Sequence, residues 1–227
     1  QRATSVTGVT SADYRTCDRF RFDVGSLGTW TVIQSTDVPT GKGFANSFRV
    51  DCTTADASPG SGGFCIFTTR LEGQDVQLFK KGTSSAEKFT LSFYVKSNKT
   101  GTFIAELDDN DNSRNINQTY TISSADTWEK KVLTFDADTT GAFDNNNESS
   151  LQILWWLDGG SNFRSGSLQT AWGSTDNTKR LAGNVALGDS TDNDWSITGI
   201  QLEVGDFDAD SIAPFQHESF GDNLLRC

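Results

Sequence analysis

Alternation of apolar and polar residues, repeated in short runs along the chain, constrains the fold more than any other feature. In the clearest run Phe89, Leu91, Phe93 and Val95 take one phase, and Thr90, Ser92, Tyr94 and Lys96 the other. A period of two sends successive side chains to opposite faces of a strand, so such a run buries one face. The last run, residues 195–204, carries Ile200, Leu202 and Val204 on one phase and Trp195 and Ile197 on the other. It reads as a strand with one firmly apolar face and a partly apolar opposite face. Gly205 ends it, and Phe215, Phe220, Leu224 and Leu225 anchor the tail beyond. The expectation is that Phe89, Leu91, Phe93, Val95, Ile200, Leu202 and Val204 share one core.

Other runs fill the space between. Phe20, Phe22 and Val24 alternate; a Gly-Ser-Leu-Gly turn then leads to TWTVIQS at 29–35, and the two read as a hairpin. Phe48, Val50 and Cys52 make another strand. FCIF at 64–67 is apolar on both phases, so it needs two covers, from its own chain or from a neighbouring one. Residues 74–78 suit one helical turn. KSNKTG reads as a hairpin turn into Phe103, Ala105 and Leu107, and residues 108–118 as a long polar loop. Two strands follow within 119–135, a tryptophan-rich one at 151–158, a loop over 159–183 and a short strand at 184–187. About ten strands without an amphipathic helix predict an all-β fold, an antiparallel β-sandwich of jelly-roll type. Residues 1–16 read as an N-terminal arm, and 17–227 as a single β-sandwich domain with a C-terminal exit tail.

Composition narrows the function. The net charge of −11 opposes nucleic acid and anionic membranes, and no basic stripe offsets it. No run approaches the ~20 apolar residues of a membrane span. Methionine is absent even at position 1, which suggests a processed chain or a piece of a longer one. Cys17, Cys52, Cys65 and Cys227 lack metal-ligand spacing, and free buried thiols are the expectation; a disulfide between Cys52 and Cys65 across a hairpin is the alternative. The single histidine, His217, lies in the tail beside Glu218, so no nucleophilic triad is expected and the chain reads as no enzyme.

Aromatic residues are the best functional clue. Trp30, Trp128, Trp155 and Trp195 lie in strands and read as core. Trp156 and Tyr94 fall on the phase opposite their strands' apolar face, and Trp172 sits in a loop. Aromatic faces grip sugars through their C–H surfaces, so these three are the candidate ligand-binding residues, with Asp158 beside Trp156 to accept from sugar hydroxyls. Asp108, Asp109 and Asp111 are the densest oxygen-ligand cluster, a candidate for calcium, followed by Asp189, Asp192 and Asp194. No other cofactor is expected.

One stretch adds a resemblance. ITGIQLEVGDFDADSIAPFQHESFGDNLLRC at the C-terminus, with QRATSVTGVTSADYRTCDRFRF, KGFANSFRVDCTTAD, LEGQDVQLFKKGTSSAEKFTLSFYVKSNKTGTFIAEL and TWEKKVLTF upstream, resembles a family of phage virion proteins. These are tail-fibre or virion structural proteins common in marine and cyanobacterial phages. The resemblance spans nearly the whole chain and implies a β-sandwich akin to carbohydrate-binding modules, borne on a virion as a tail fibre or at the capsid surface. It implies a homo-oligomer, a trimer by analogy with fibres, contacts with other virion proteins, and recognition of host-surface glycan. Sandwiches of that kind often hold a structural calcium. Two alternatives stand beside it: a purely structural module that decorates a capsid or oligomerises a fibre, and the carbohydrate-binding module of a secreted enzyme.

Overall fold

Twelve strands, described by a computed structural model covering residues 3–217 and 221, carry the alternating runs. They are β1 (Ser5–Val9), β2 (Phe20–Gly25), β3 (Thr29–Ser35), β4 (Ser47–Thr54), β5 (Phe64–Glu72) and β6 (Phe89–Ser97). β7 (Gly101–Asp109), β8 (Arg114–Ile122), β9 (Glu129–Phe135), β10 (Ser149–Gly159), β11 (Gly173–Ser174) and β12 (Asp194–Val204) follow. They form two six-stranded antiparallel sheets. The front sheet runs β1-β3-β4-β12-β6-β9 and the back sheet β11-β8-β7-β10-β5-β2. The inward phases meet in an aromatic core. Phe67 lies 4.4 Å from Phe48, 5.4 Å from Trp155 and 5.6 Å from Trp195 between ring centroids. This is the antiparallel sandwich that the alternation predicts. Each fully buried ring of that size contributes about 2–3 kcal/mol.

The connections differ from the local reading. β2 pairs with β5 while β3 pairs with β1 and β4, so the expected hairpin at 20–35 is a crossover between sheets. β6 and β7 part the same way, β6 to β12 and β9, β7 to β10 and β8. A tight turn fixes where a chain reverses but not which layer its second strand joins; two half-buried strands satisfy their backbones equally well in either. Residues 108–118 form the end of β7, a turn and the start of β8 rather than a long loop. Their polarity misled because Asn115 and Asn117 are buried under a covering segment. Residues 184–187 are not a strand: the Asn184 side chain accepts from Ile104 N and donates to the Val185 carbonyl, replacing sheet pairing. Ser5–Val9, within the N-terminal arm, pairs with β3.

β12 explains its two apolar phases. Trp195 and Ile197 lie opposite Ser97 and Val95, then the register shifts between Thr198 and Gln201, and Leu202 and Val204 lie opposite Leu91 and Phe89. An inserted residue flips the phase, so both apolar sets face the same core. The expected seven residues do share it, with Phe89, Leu91, Phe93 and Val95 fully buried and Ile200, Leu202 and Val204 half-buried at its margin. The cysteines answer the disulfide question. Cys52 and Cys65 sit in opposite sheets, and with Cys17 they are free thiols. Burial, then the Asp158 charge, pushes Cys52 up to about 11 and Cys65 well above its ordinary value. Cys227, Glu218 and the tail anchors Phe220, Leu224 and Leu225 lie outside the described residues.

Candidate functional site

The outer face of the back sheet holds Trp156, and it is covered. The segment 160–187, which includes the short helix α1 (Ser161–Arg164), lays Phe163 and Leu181 over Trp156, Ile66, Ile104 and Leu154. Trp156 is only 1% exposed, with Phe163 5.2 Å away. Its indole N–H donates to Glu106 Oε2 at 2.6 Å, and Arg180 sits 5.4 Å from its ring. Trp156 is therefore a second-layer packing residue and not an open platform. The same segment covers Phe64 and Ile66, so the second cover that FCIF requires comes from its own chain.

Asp158 does not flank Trp156 either. A register shift between Trp156 and Asp158 turns the carboxylate to the sandwich end, where it is buried. It accepts from Gly159 N at 2.7 Å, Gly188 N at 2.9 Å and Arg164 Nη2 at 3.0 Å. Burial raises its pKa, against the lowering effect of those bonds. Trp172 is half-buried, its N–H donating to the Asp136 carbonyl at 2.7 Å and its ring 6.0 Å from Phe89 and 5.0 Å from Lys81 Nζ. Asp158 is thus committed to internal donors, while Trp172 keeps part of its ring exposed.

The aspartate cluster already has its cation. Lys81 Nζ, with no side-chain exposure, lies 2.5 Å from Asp109 Oδ2, 3.1 Å from Asp138 Oδ2, 3.0 Å from the Thr140 carbonyl and 2.8 Å from the Gly141 carbonyl. Burial works against ionisation of Asp138, but bonds from Arg114, Thr140 N and Lys81 outweigh it and hold its pKa low. Asp108 binds Arg180 at 2.9 Å and Asp111 accepts from Asp144 N at 2.9 Å, so Asp108, Asp109 and Asp111 do not converge as calcium ligands. In the second cluster Asp189 pairs with Lys99 and Asp194 with Arg49. Among the described residues no three His, Cys, Asp or Glu side chains are placed to hold a metal ion.

Of the aromatic candidates, Tyr94 lines an open recess. On the outer face of the front sheet it borders a recess of about 310 Å³, together with Ser92, Lys130, Gln201, Phe44, Phe215 and His217. Phe44 is the hub: its ring centroid is 5.7 Å from Tyr94, 5.0 Å from Phe215 and 5.3 Å from His217. The register builds the floor. Ser92 and Tyr94 lie opposite Val132 and Lys130 of β9, and Gln201 lies opposite Ser92 from β12. The β12 bulge admits the hub, because Gly199 has φ of +62° and a Cβ there would stand 2.5 Å from Phe44 Cζ. Replacing Gly199 with alanine is expected to cost about 1–3 kcal/mol, from strain and overlap together. Urea unfolding checks this, and Phe44 displaced in a crystal of the variant is the accompanying sign.

Sequence reasoning missed Phe44, Phe215 and His217 as a set. Two come from the C-terminal tail and one from a glycine-flanked loop, so only the fold joins them. Trp128, expected in the core, is instead half-buried, its N–H donating to Asp37 Oδ1 at 3.1 Å and Lys96 Nζ 5.9 Å from its ring.

No protein-family model matches the chain, and no curated protein matches it. Solved structures do. The enzymatically active domain of bacteriophage CBA120 tailspike protein 4 is 14% identical over 82% of this chain, which spans 19% of that chain, with a TM-score of 0.45. The family 11 carbohydrate-binding module from Clostridium thermocellum, solved with a β-1,3-1,4-mixed-linked tetrasaccharide, is 10% identical over 88% of this chain and 96% of its own, TM-score 0.41. The CBM22-1–GH10 modules of xylanase 10B from the same organism, solved with xylohexaose, are 12% identical over 87% of this chain and 28% of theirs, TM-score 0.42. Likeness this distant says nothing of what this chain binds.

Proposed function

We propose that this chain is a non-enzymatic module that binds a glycan in the Tyr94 recess, as part of a virion appendage. One observation carries the reading: the half-buried rings of Tyr94, Phe44 and Phe215 and the half-buried amide of Gln201 line one open recess on a sheet face. Rings offer apolar contact to the C–H faces of a pyranose, and the amide selects among its hydroxyls. The placement on a virion, whether tail fibre or capsid surface, and the trimer rest on the sequence resemblance. Trimerisation suits the recess, since a shallow site binds weakly and several linked copies raise avidity through effective concentration.

The test is a glycan array followed by calorimetry on the best ligand. Tyr94→Ala is expected to weaken binding about tenfold, the loss of roughly 1–1.5 kcal/mol of ring contact. Thermal unfolding confirms that the variant remains folded. Unchanged affinity in folded Tyr94→Ala and Phe215→Ala variants would exclude the recess, and an array without a single bound sugar would favour the purely structural alternative.

A further inference from the structure

The charge around the recess runs against the charge of the protein. The chain has 30 acidic and 19 basic residues, and nine of the latter are lysines. Seven lysines pair with a carboxylate: Lys80 with Glu87, Lys81 with Asp109, Lys88 with Asp206, Lys96 with Asp37, Lys99 with Asp189, Lys131 with Glu129 and Lys179 with Asp176. The two without a carboxylate partner among the described residues are Lys42 and Lys130, and both line the Tyr94 recess. The lining described includes no aspartate or glutamate. With carboxylates in excess, a lysine unpaired among the described residues is the exception, and here the two exceptions meet at one place.

Position gives them a geometry. Lys130 lies directly across the β6–β9 pairing from Tyr94, and Lys42 stands two residues before Phe44, the hub of the rings. Of the adjacent carboxylates, Glu129 holds Lys131 at 2.5 Å and Asp37 holds Lys96, while Glu203 accepts from Gln201 Nε2, at the edge of the recess, at 2.7 Å. Among the described residues, two ammonium groups thus line an aromatic recess with no carboxylate paired to either. At physiological salt the Debye length is about 8 Å, so the distant surplus of carboxylates is screened while these two lysines act at contact range.

We propose that the recess selects an anionic sugar, one whose carboxylate or sulfate lies between Lys42 and Lys130 while its ring rests on Tyr94, Phe44 and Phe215. Charge-assisted bonds from the ammonium groups are stronger than those to a neutral hydroxyl, and they add to the ring contact. The inference rests on the glycan reading above and narrows its ligand class.

Calorimetry on the full chain at physiological salt would compare an oligouronate, a sulfated oligosaccharide, a neutral oligosaccharide of similar length, and polyglutamate. The expected result is an anionic sugar bound at least tenfold more tightly than the neutral one, with the first two ligands telling carboxylate from sulfate. Lys42→Gln and Lys130→Gln should each weaken it about two- to fivefold, and the double substitution should erase the preference; Tyr94→Ala should weaken every sugar. Neutral sugar bound equally well, sensitive to Tyr94→Ala and indifferent to both lysines, would overturn the anionic assignment and leave the glycan reading standing. Polyglutamate bound as tightly as oligouronate would show plain charge attraction and overturn the assignment. Failure to bind any sugar would overturn both.

Discussion

Lys81→Met is expected to lower the stability of the fold by about 3–5 kcal/mol, the usual cost of stranding one partner of a buried ion pair. The side chains of Lys81 and Asp109 are both wholly buried, 2.5 Å apart. Four oxygens surround the ammonium, and the rings of Trp172 and Phe143 lie 5.0 and 5.3 Å from it. With the charge removed, Asp109 retains only the donors of Asn112, at 3.0–3.2 Å. Methionine fills much of the volume, so packing loss is a minor part. The double variant Lys81→Met with Asp109→Asn should be less damaged than the single one, because neither charge is then stranded. Urea unfolding of the four proteins in a double-mutant cycle measures the coupling. A single-variant loss below about 1 kcal/mol would show that the ammonium adds little.

Those residues mark what the sequence could and could not convey. Asp109 stood out as part of an acidic cluster, which suggests a cation; that the cation is Lys81, 28 positions earlier, follows only from the fold. Strands were legible because alternation is local and burying one face of a sheet demands it. Sheet membership was not, because the turns after Gly25 and Ser97 look the same whether the next strand joins its predecessor or crosses the core. The β12 bulge left a readable trace, a phase switch centred on Gly199, a glycine inside a strand pattern.

The binding candidates divide along the same line. Phase correctly put Tyr94 and Trp156 on outward faces, but phase cannot say whether an outer face stays open. Residues 160–183, which read as part of a loop, carry Phe163, Leu168 and Leu181 over Trp156. Nothing short-range foretells that closure. Tyr94 remained accessible because its neighbours, Phe44 and Phe215, border it without sealing it.

The cover over Trp156 has its own electrostatic latch, and Arg180→Met is expected to cost about 2–4 kcal/mol at neutral pH, with a smaller loss in acid. Arg180 Nη2 lies 2.7 Å from Glu106 Oε1 and 2.9 Å from Asp108 Oδ2, and Nε donates to Glu106 Oε2 at 3.0 Å. Glu106 is fully buried, so without the guanidinium its charge would keep only the neutral donors of Asn115 and Trp156. Burial first, then the charge of Glu106, raises Asp108 to about 6, although Arg180 pulls the other way. A carboxyl whose folded pKa exceeds its unfolded one favours the fold at low pH, and that contribution is lost as pH climbs from about 4 through 6. Removing Arg180 enlarges the effect, so the variant should gain more stability than the wild type between pH 7 and pH 5. Denaturant midpoints at both values, with Arg180→Met/Asp108→Asn as a third protein, measure it. A red shift of tryptophan fluorescence should accompany loosening of segment 160–187, since Trp156 lies directly beneath it. A loss of the same size at both pH values would instead mean that Arg180 acts by packing its side chain against the Trp156 ring rather than by neutralising the carboxylates.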